Sequence, residues 1–180
     1  PLVAARVARV REAFPDVRTY FHAPLANAGS MRAAMDALGG PFVAQHDFRN
    51  ADVVVSLGAD FCASGPFHLR YARDFGERRR ATSAAASTLY VAECAPSPTG
   101  TLADHRIPAS PAAMGRIAAA LFATIVDDAR FSERVPPDLL GVRAESIDLT
   151  PAERAWVSGA AKDLVAHRGH GVVIAGPQQA

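Results

Sequence analysis

A chain of 180 residues holds one domain, or one domain and part of a second. Its hydrophobic share of 49% is enough to bury a real core, and its net charge of +1 lacks the basic surplus that a nucleic-acid binder needs. Lys162 is the one lysine among 19 basic residues, an arginine bias that reads as base composition rather than as an arginine-specific role.

From Leu2 to Phe14 the apolar residues Leu2, Val3, Val7, Val10 and Phe14 recur at helical spacing, with arginines on the other face. Pro15 stops that helix. Residues 16–22 alternate and are rich in β-formers, which predicts a strand. Asn27, Ala28, Gly29 and Ser30 make a turn, with Ser30 as the cap of a helix over 31–38. Gly39, Gly40 and Pro41 end it, and a connector over 41–50 carries a short strand at Phe42, Val43 and Ala44.

Residues 51–60 are the most informative run. They predict a mostly apolar strand, Val53 to Leu57 at its centre, that ends on Gly58 and Asp60. A loop over 58–66 follows, then a helix over 67–80 with Phe67, Leu69, Tyr71 and Phe75 as its apolar residues. Arg78, Arg79 and Arg80 fall in its last turn, where cations suit the helix dipole. After a small-residue linker over 81–87 comes a second apolar strand over 88–93. Strand, helix, strand is a βαβ unit, and only a parallel sheet accommodates its crossover. Ligands on such sheets sit beyond the carboxyl ends of the strands. Gly58, Asp60, Glu93 and Cys94 are placed there.

Residues 95–100 read as a loop, and 103–109 as a short strand. Ser110 caps a helix that opens on Pro111 and runs to Val126. Its apolar stretch over 117–126 falls short of the ~20 residues of a membrane span and is flanked by Arg116 and Asp127, so it predicts a buried helix. Residues 127–149, with Pro136 and Pro137, predict a surface connection. Thr150 and Glu153 have the spacing of a capping box. The helix they open carries Trp156, Val157, Leu164 and Val165 and runs to about His167. Gly169 to Gly171 end it, and residues 171–176 predict a final strand.

Several constellations carry weak chemistry. His167 and His170 flank a helix end without a paired acid or cysteine, and read as exposed histidines rather than metal ligands. Asp104 and His105 resemble half of a catalytic pair, but no serine nucleophile elbow accompanies them. Gly39 and Gly40 end a helix rather than open one, which excludes a phosphate loop. Asp60 and Glu93 at neighbouring strand ends have the makings of an acid–base pair; a polar rim is the plainer reading. Cys62 and Cys94 are the only cysteines. They lack zinc spacing and cannot alone hold an iron–sulfur cluster, and their pairing is left open. No signal peptide is visible, and the chain reads as an excised piece of a longer protein.

The middle of the chain resembles the molybdopterin oxidoreductase superfamily: a strand with a glycine-containing end over 51–60, a helix over 67–80, a strand ending on Glu93, a proline-rich loop over 95–100, the pair Ala103 and Asp104, then a strand and helix over 107–126. Ser64-Gly65-Pro66, residues 70–75, Ala103-Asp104-His105-Arg106 and residues 172–176 are more narrowly similar to the large molybdopterin-like iron–sulfur subunits of alternative complex III, a membrane-bound quinol oxidoreductase. There are departures from working molybdoenzymes. Asp60 stands where they carry asparagine, and Glu93-Cys94-Ala95-Pro96 replaces an Asp-Pro-Arg type of strand end. An added carboxylate near a phosphate-binding loop repels an anionic ligand.

The expected fold is therefore α/β and Rossmann-like: a mainly parallel sheet of four or five strands with helices on both faces. Residues 1–127 form the molybdopterin-oxidoreductase-type domain, 128–149 a connector, and 150–180 a helix and strand that open the next α/β segment. The resemblance implies a non-catalytic scaffold that docks other subunits of a membrane electron-transfer complex, on the periplasmic face. It implies iron–sulfur clusters elsewhere in the parent and no cofactor in this piece. Gly58, Asp60, Glu93 and Asp104 are the candidate cofactor-binding residues, read as vestigial, with Arg106 as the nearest offsetting cation in sequence. In the first alternative they hold the guanosine end of a molybdopterin guanine dinucleotide. In the second, the chain is a free-standing small-molecule-binding module. No metal ligand or catalytic residue is expected, no nucleic acid is a partner, and the isolated piece is expected to self-associate through its uncovered final strand.

Overall fold

The computed structural model describes residues 2–20, 35–36, 39–40, 42–80, 86–126 and 144–176. At its centre lies a four-stranded sheet whose pairings are all parallel. The strands are β1 (Val53–Leu57), β2 (Thr88–Glu93), β3 (His105–Pro108) and β4 (Gly171–Ala175). Their order across the sheet is β3-β2-β1-β4. The register runs Val53 to Thr88 and Gly171, and Leu57 to Ala92 and Ala175. The helices are α1 (Leu2–Ala13), α2 (His68–Arg79), the single turn α3 (Pro98–Thr101), α4 (Pro111–Val126) and α5 (Pro151–Ala166).

Every residue of β1 is buried, as a strand covered on both faces requires. Alternation sends its side chains to opposite sides. Val54 joins Leu89 and Val91 of β2 in a cluster with Phe48, Phe61, and Tyr71 and Phe75 of α2. Val53, Val55 and Leu57 join Tyr90 and Ala92 in a second cluster against Met114, Ile117 and Leu121 of α4 and Trp156, Val157 and Ala160 of α5. This is a Rossmann-like α/β layer arrangement with helices on both faces of the sheet. The chain steps outward from β1 to β2 and β3, then returns to place β4 on the other side of β1. The switch point of the sheet thus falls between β1 and β4.

Local signals explain the element starts. Ser110 accepts from the Ala113 amide at 3.2 Å at the head of α4. Thr150 and Glu153 form the reciprocal capping box of α5, at 2.8 Å from the Thr150 amide and 3.2 Å to the Thr150 hydroxyl. Trp156 anchors α5 by donating to the His105 carbonyl at 3.1 Å, edge-on to Tyr90. Tyr90 in turn donates to Asp163 at 2.6 Å, and burial followed by that carboxylate pushes its phenol pKa up. As expected, α4 is a core helix, and no helix of the described residues is long and apolar enough to cross a membrane.

Three local expectations differ from the structure. Residues 16–20, expected to begin a strand, are turn and coil, because no strand pairs with them and β-propensity means little without a neighbour; residues 21–22 lie outside the described set. Residues 42–44 are exposed and form no strand. The loop over 95–100 contains the helical turn α3, which Ser97 caps and Pro98 opens. Helix α1 forms as its spacing predicts but buries none of its residues. Of the helix over 31–38 only Met35 and Asp36 are described, and they are helical. The connection over 127–143 lies outside the described residues. The segment read as opening a further α/β segment places β4 on the edge of this same sheet and α5 against α4.

Leu89 is fully buried between β1 and α2, whereas Leu69 is 77% exposed on the same helix. Leu89→Ala is expected to lower unfolding free energy by about 2–5 kcal/mol. Leu69→Ala is expected to stay within about 0.5 kcal/mol. Urea denaturation of both variants checks the burial pattern.

Candidate functional site

The carboxyl ends of β1 and β2 carry the residues that the sequence singled out. Gly58 leaves β1 at φ 66, a left-handed turn that suits glycine, and its amide donates to the Ala92 carbonyl at 2.8 Å. Fully buried Ser56, the one polar side chain of β1, ties this turn down. Its hydroxyl donates to the Ala59 carbonyl at 2.7 Å and accepts from the Ala59 amide at 3.2 Å.

Asp60 then reaches across to α3. One carboxylate oxygen accepts from the Thr99 hydroxyl at 2.7 Å and from the Thr99 amide at 3.1 Å. The same hydroxyl accepts from the Cys62 amide at 3.1 Å. Thr99 is fully buried, so the loop after β1 and the turn after β2 close on one hydroxyl.

Glu93 closes the neighbouring strand end in the same manner. It is 5% exposed, accepts from the Ser97 hydroxyl at 2.6 Å and pairs with Arg106 of β3 at 2.5 Å. Gly100 packs directly on this carboxylate: a Cβ there would lie 1.9 Å from Glu93 Oε1. The short helix also spends its leading amides internally, Thr99 on Asp60 and Gly100 on the Ser97 hydroxyl.

Asp104 does not join this group. It precedes β3, and in a parallel sheet that places it at the amino end, opposite Asp60 and Glu93. There it accepts from the Leu89 amide at 2.8 Å and from both terminal nitrogens of Arg79, at 2.5 and 3.0 Å. Burial pushes its carboxyl up, but Arg79 and the Leu89 amide outweigh that and leave it below the usual aspartate range. The expectation of three carboxylates around one ligand site is therefore corrected to two, Asp60 and Glu93. Arg106, expected to offset a ligand's charge, is engaged by Glu93.

The remaining sequence candidates are dispersed. Cys62 is half-buried, and its thiol is pushed up by burial, so it is a poor nucleophile. Cys94 is exposed, and both cysteines are free thiols. His167 and His170 donate from ring Nδ1 to backbone carbonyls, that of Asp163 at 2.9 Å and that of sequence-distant Asn50 at 3.0 Å. His105 stacks on Tyr90 at 4.5 Å, and its charge adds to the lowering of the Asp104 carboxyl. Among the described residues no group of three or more histidine, cysteine or acidic side chains has metal-binding geometry.

Two ionic features were not read from the sequence. Buried Asp74 of α2 receives Arg49 at 3.0 Å, Arg73 at 3.3 Å and Arg70 at 3.4 Å. Burial pushes its carboxyl up, and the arginines bring it net below its ordinary value. Arg70 and Asp74 stand four residues apart on a helix, which was the available signal; Arg49 comes from a distant loop. At the other end of α2, Arg78 pairs with Asp52 and Arg79 lies 5.6 Å over the Phe75 ring. Arg78 and Arg79 thus pin the crossover helix to the sheet as well as meeting its dipole.

Comparison with protein-family models and with curated proteins finds no match to this chain.

Two outcomes follow from this geometry. Gly100→Ala is expected to lose about 1–3 kcal/mol, because Glu93 is pinned and cannot move aside. Gly115→Ala, in open space on α4, is expected to gain about 0.5–1 kcal/mol. Thermal and urea denaturation of the pair read the opposite signs. Asp104 has a depressed folded pKa, so its contribution is present above the unfolded value and is lost as pH falls through the folded one. The stability gap between the unmodified chain and Asp104→Asn is expected to be full at neutral pH and to shrink below about pH 3.9. A gap independent of pH would contradict this assignment.

Proposed function

We propose that this chain is a non-catalytic scaffold domain of a molybdopterin-like oxidoreductase subunit in a membrane electron-transfer complex, as its resemblance to the alternative complex III subunits implies. One observation carries the cofactor-free part of this reading. A dinucleotide on a doubly wound sheet rests its phosphates on free backbone amides at the strand ends. Here the Gly58 amide is given to Ala92, that of Thr99 to Asp60, that of Gly100 to Ser97 and that of Gly176 to Leu57. Gly176 also packs on the Gly58 carbonyl so closely that a Cβ would lie 2.0 Å from its oxygen. The strand ends are bonded to one another, and the Thr99 amide already holds the protein's own Asp60 carboxylate. Such a surface suits a rigid block that shapes and docks a neighbouring electron-transfer subunit on the periplasmic side.

A second reading is favoured by the position of the switch point between β1 and β4, where nucleotides bind in such folds. In it, Gly58, Asp60 and Glu93 hold the guanosine end of a molybdopterin guanine dinucleotide. Calorimetric titration with GMP and GDP separates the two. The scaffold reading expects no saturable heat. Tight binding that is lost in Asp60→Ala would replace it with the second.

A further inference from the structure

Helix α1 buries none of its residues, yet its side chains are sorted by type around the helix. With 3.6 residues per turn, Val3, Val7, Val10 and Phe14 fall within a sector of about 60°. The Phe14 amide donates to the Val10 carbonyl at 2.9 Å, so the helical path brings that ring into line with the valines. Val3, Val10 and Phe14 are 67%, 43% and 65% exposed. Arg6 lies about 40° to one side of this stripe, and Arg11 about 40° to the other. Arg9 stands further round, and Glu12, the one acid of the helix, lies on the opposite side. Arg11 also donates to the Thr19 hydroxyl, a neutral partner that leaves its charge in place.

A narrow apolar stripe edged by cations on both sides has the form of a helix that lies in the plane of a lipid interface. We propose that α1 binds an anionic phospholipid surface, with Val3, Val7, Val10 and Phe14 in the acyl boundary and Arg6 and Arg11 on the lipid phosphates. Arginine stems lie along apolar surface while their guanidinium groups reach outward to the headgroups. Charge argues against a second copy as the occupant. Two such stripes laid together would set Arg6 and Arg11 of one helix against those of the other, and like charges so opposed are costly. Area argues against a protein partner held by this helix alone. Its 12 residues offer a face of roughly 18 by 10 Å, against about 800 Å² per partner in a standard interface. An anionic lipid surface supplies negative charge along both flanks and needs no matched shape. Binding by one short helix is weak, reversible and sensitive to salt.

Co-sedimentation of the whole chain with vesicles tests this, using phosphatidylcholine alone and phosphatidylcholine mixed with phosphatidylglycerol. The chain is expected to bind the mixed vesicles, to ignore the neutral ones, and to come off as salt is raised. Arg6→Gln combined with Arg11→Gln is expected to weaken binding on the order of tenfold. Val10→Glu is expected to abolish it with an unchanged melting temperature. Leu69→Glu, at a comparably exposed apolar position on α2, is expected to leave it intact. No binding to the mixed vesicles would overturn the proposal. So would equal binding to neutral vesicles, binding that survives Val10→Glu, or binding lost in Leu69→Glu. Sedimentation velocity without lipid covers the other occupant: a dimer that Val10→Glu dissolves would assign the stripe to a second copy and overturn the proposal as well.

Discussion

The parallel pairing of β1 on both its edges is the constraint on which the rest of the molecule depends. β1 lies between β2 and β4 and is buried on both faces. A strand so placed can present only apolar side chains, and each parallel neighbour must be reached by a crossover. Those crossovers supply the helices: α2 on the face of Val54, and α4 and α5 on the face of Val53 and Val55. Ser56 is the single polar exception, and its hydroxyl is satisfied within its own turn. The same constraint divides the polar residues between the two ends of the sheet. Asp52, Arg78, Arg79 and Asp104 tie α2 and β3 to the amino end. Asp60, Thr99, Glu93, Ser97 and Arg106 tie the loops at the carboxyl end.

The carboxyl end is where a fold of this class keeps its ligands, and here two carboxylates are spent on holding loops. Asp60 accepts both the amide and the hydroxyl of Thr99, and Glu93 sits against Gly100 with Ser97 and Arg106 as partners. Such bonds stabilise the loops that carry them, since a hydrogen bond to a charged group contributes about 1.5–3 kcal/mol. Glu93 engages both of its oxygens, whereas both bonds of Asp60 fall on one oxygen.

Much of the fold was legible because its signals are local. The apolar runs of β1 and β2, the Ser110 and Pro111 start of α4, and the Thr150 and Glu153 box each lie within a few residues. The strand expected over 16–22 failed at 16–20 because alternation describes a surface and not a partner. The site was less legible. Asp60 and Glu93 were placed at the right end by the βαβ pattern, but their partners Thr99 and Ser97 sat in what composition marked as loop. Asp104 was brought to the site by the Ala103-Asp104 pair of the family resemblance. A residue that precedes a strand of a parallel sheet lies at the amino end, and that rule was sufficient to separate it from the others. Asp74 announced only one of its arginines, Arg70, through helical spacing; Arg49 and the depth of burial depend on tertiary packing.

Asp60 thus acts as a structural fastener. A double-mutant cycle between Asp60→Asn and Thr99→Val, read by denaturant unfolding, tests it most directly. Each change is expected to destabilise the chain, and the two are expected to couple by about 1 kcal/mol or more. A carboxylate held for binding or catalysis behaves differently, because functional groups are often kept at a cost to stability. A rise in stability on Asp60→Asn, or strict additivity of the two changes, would contradict the account.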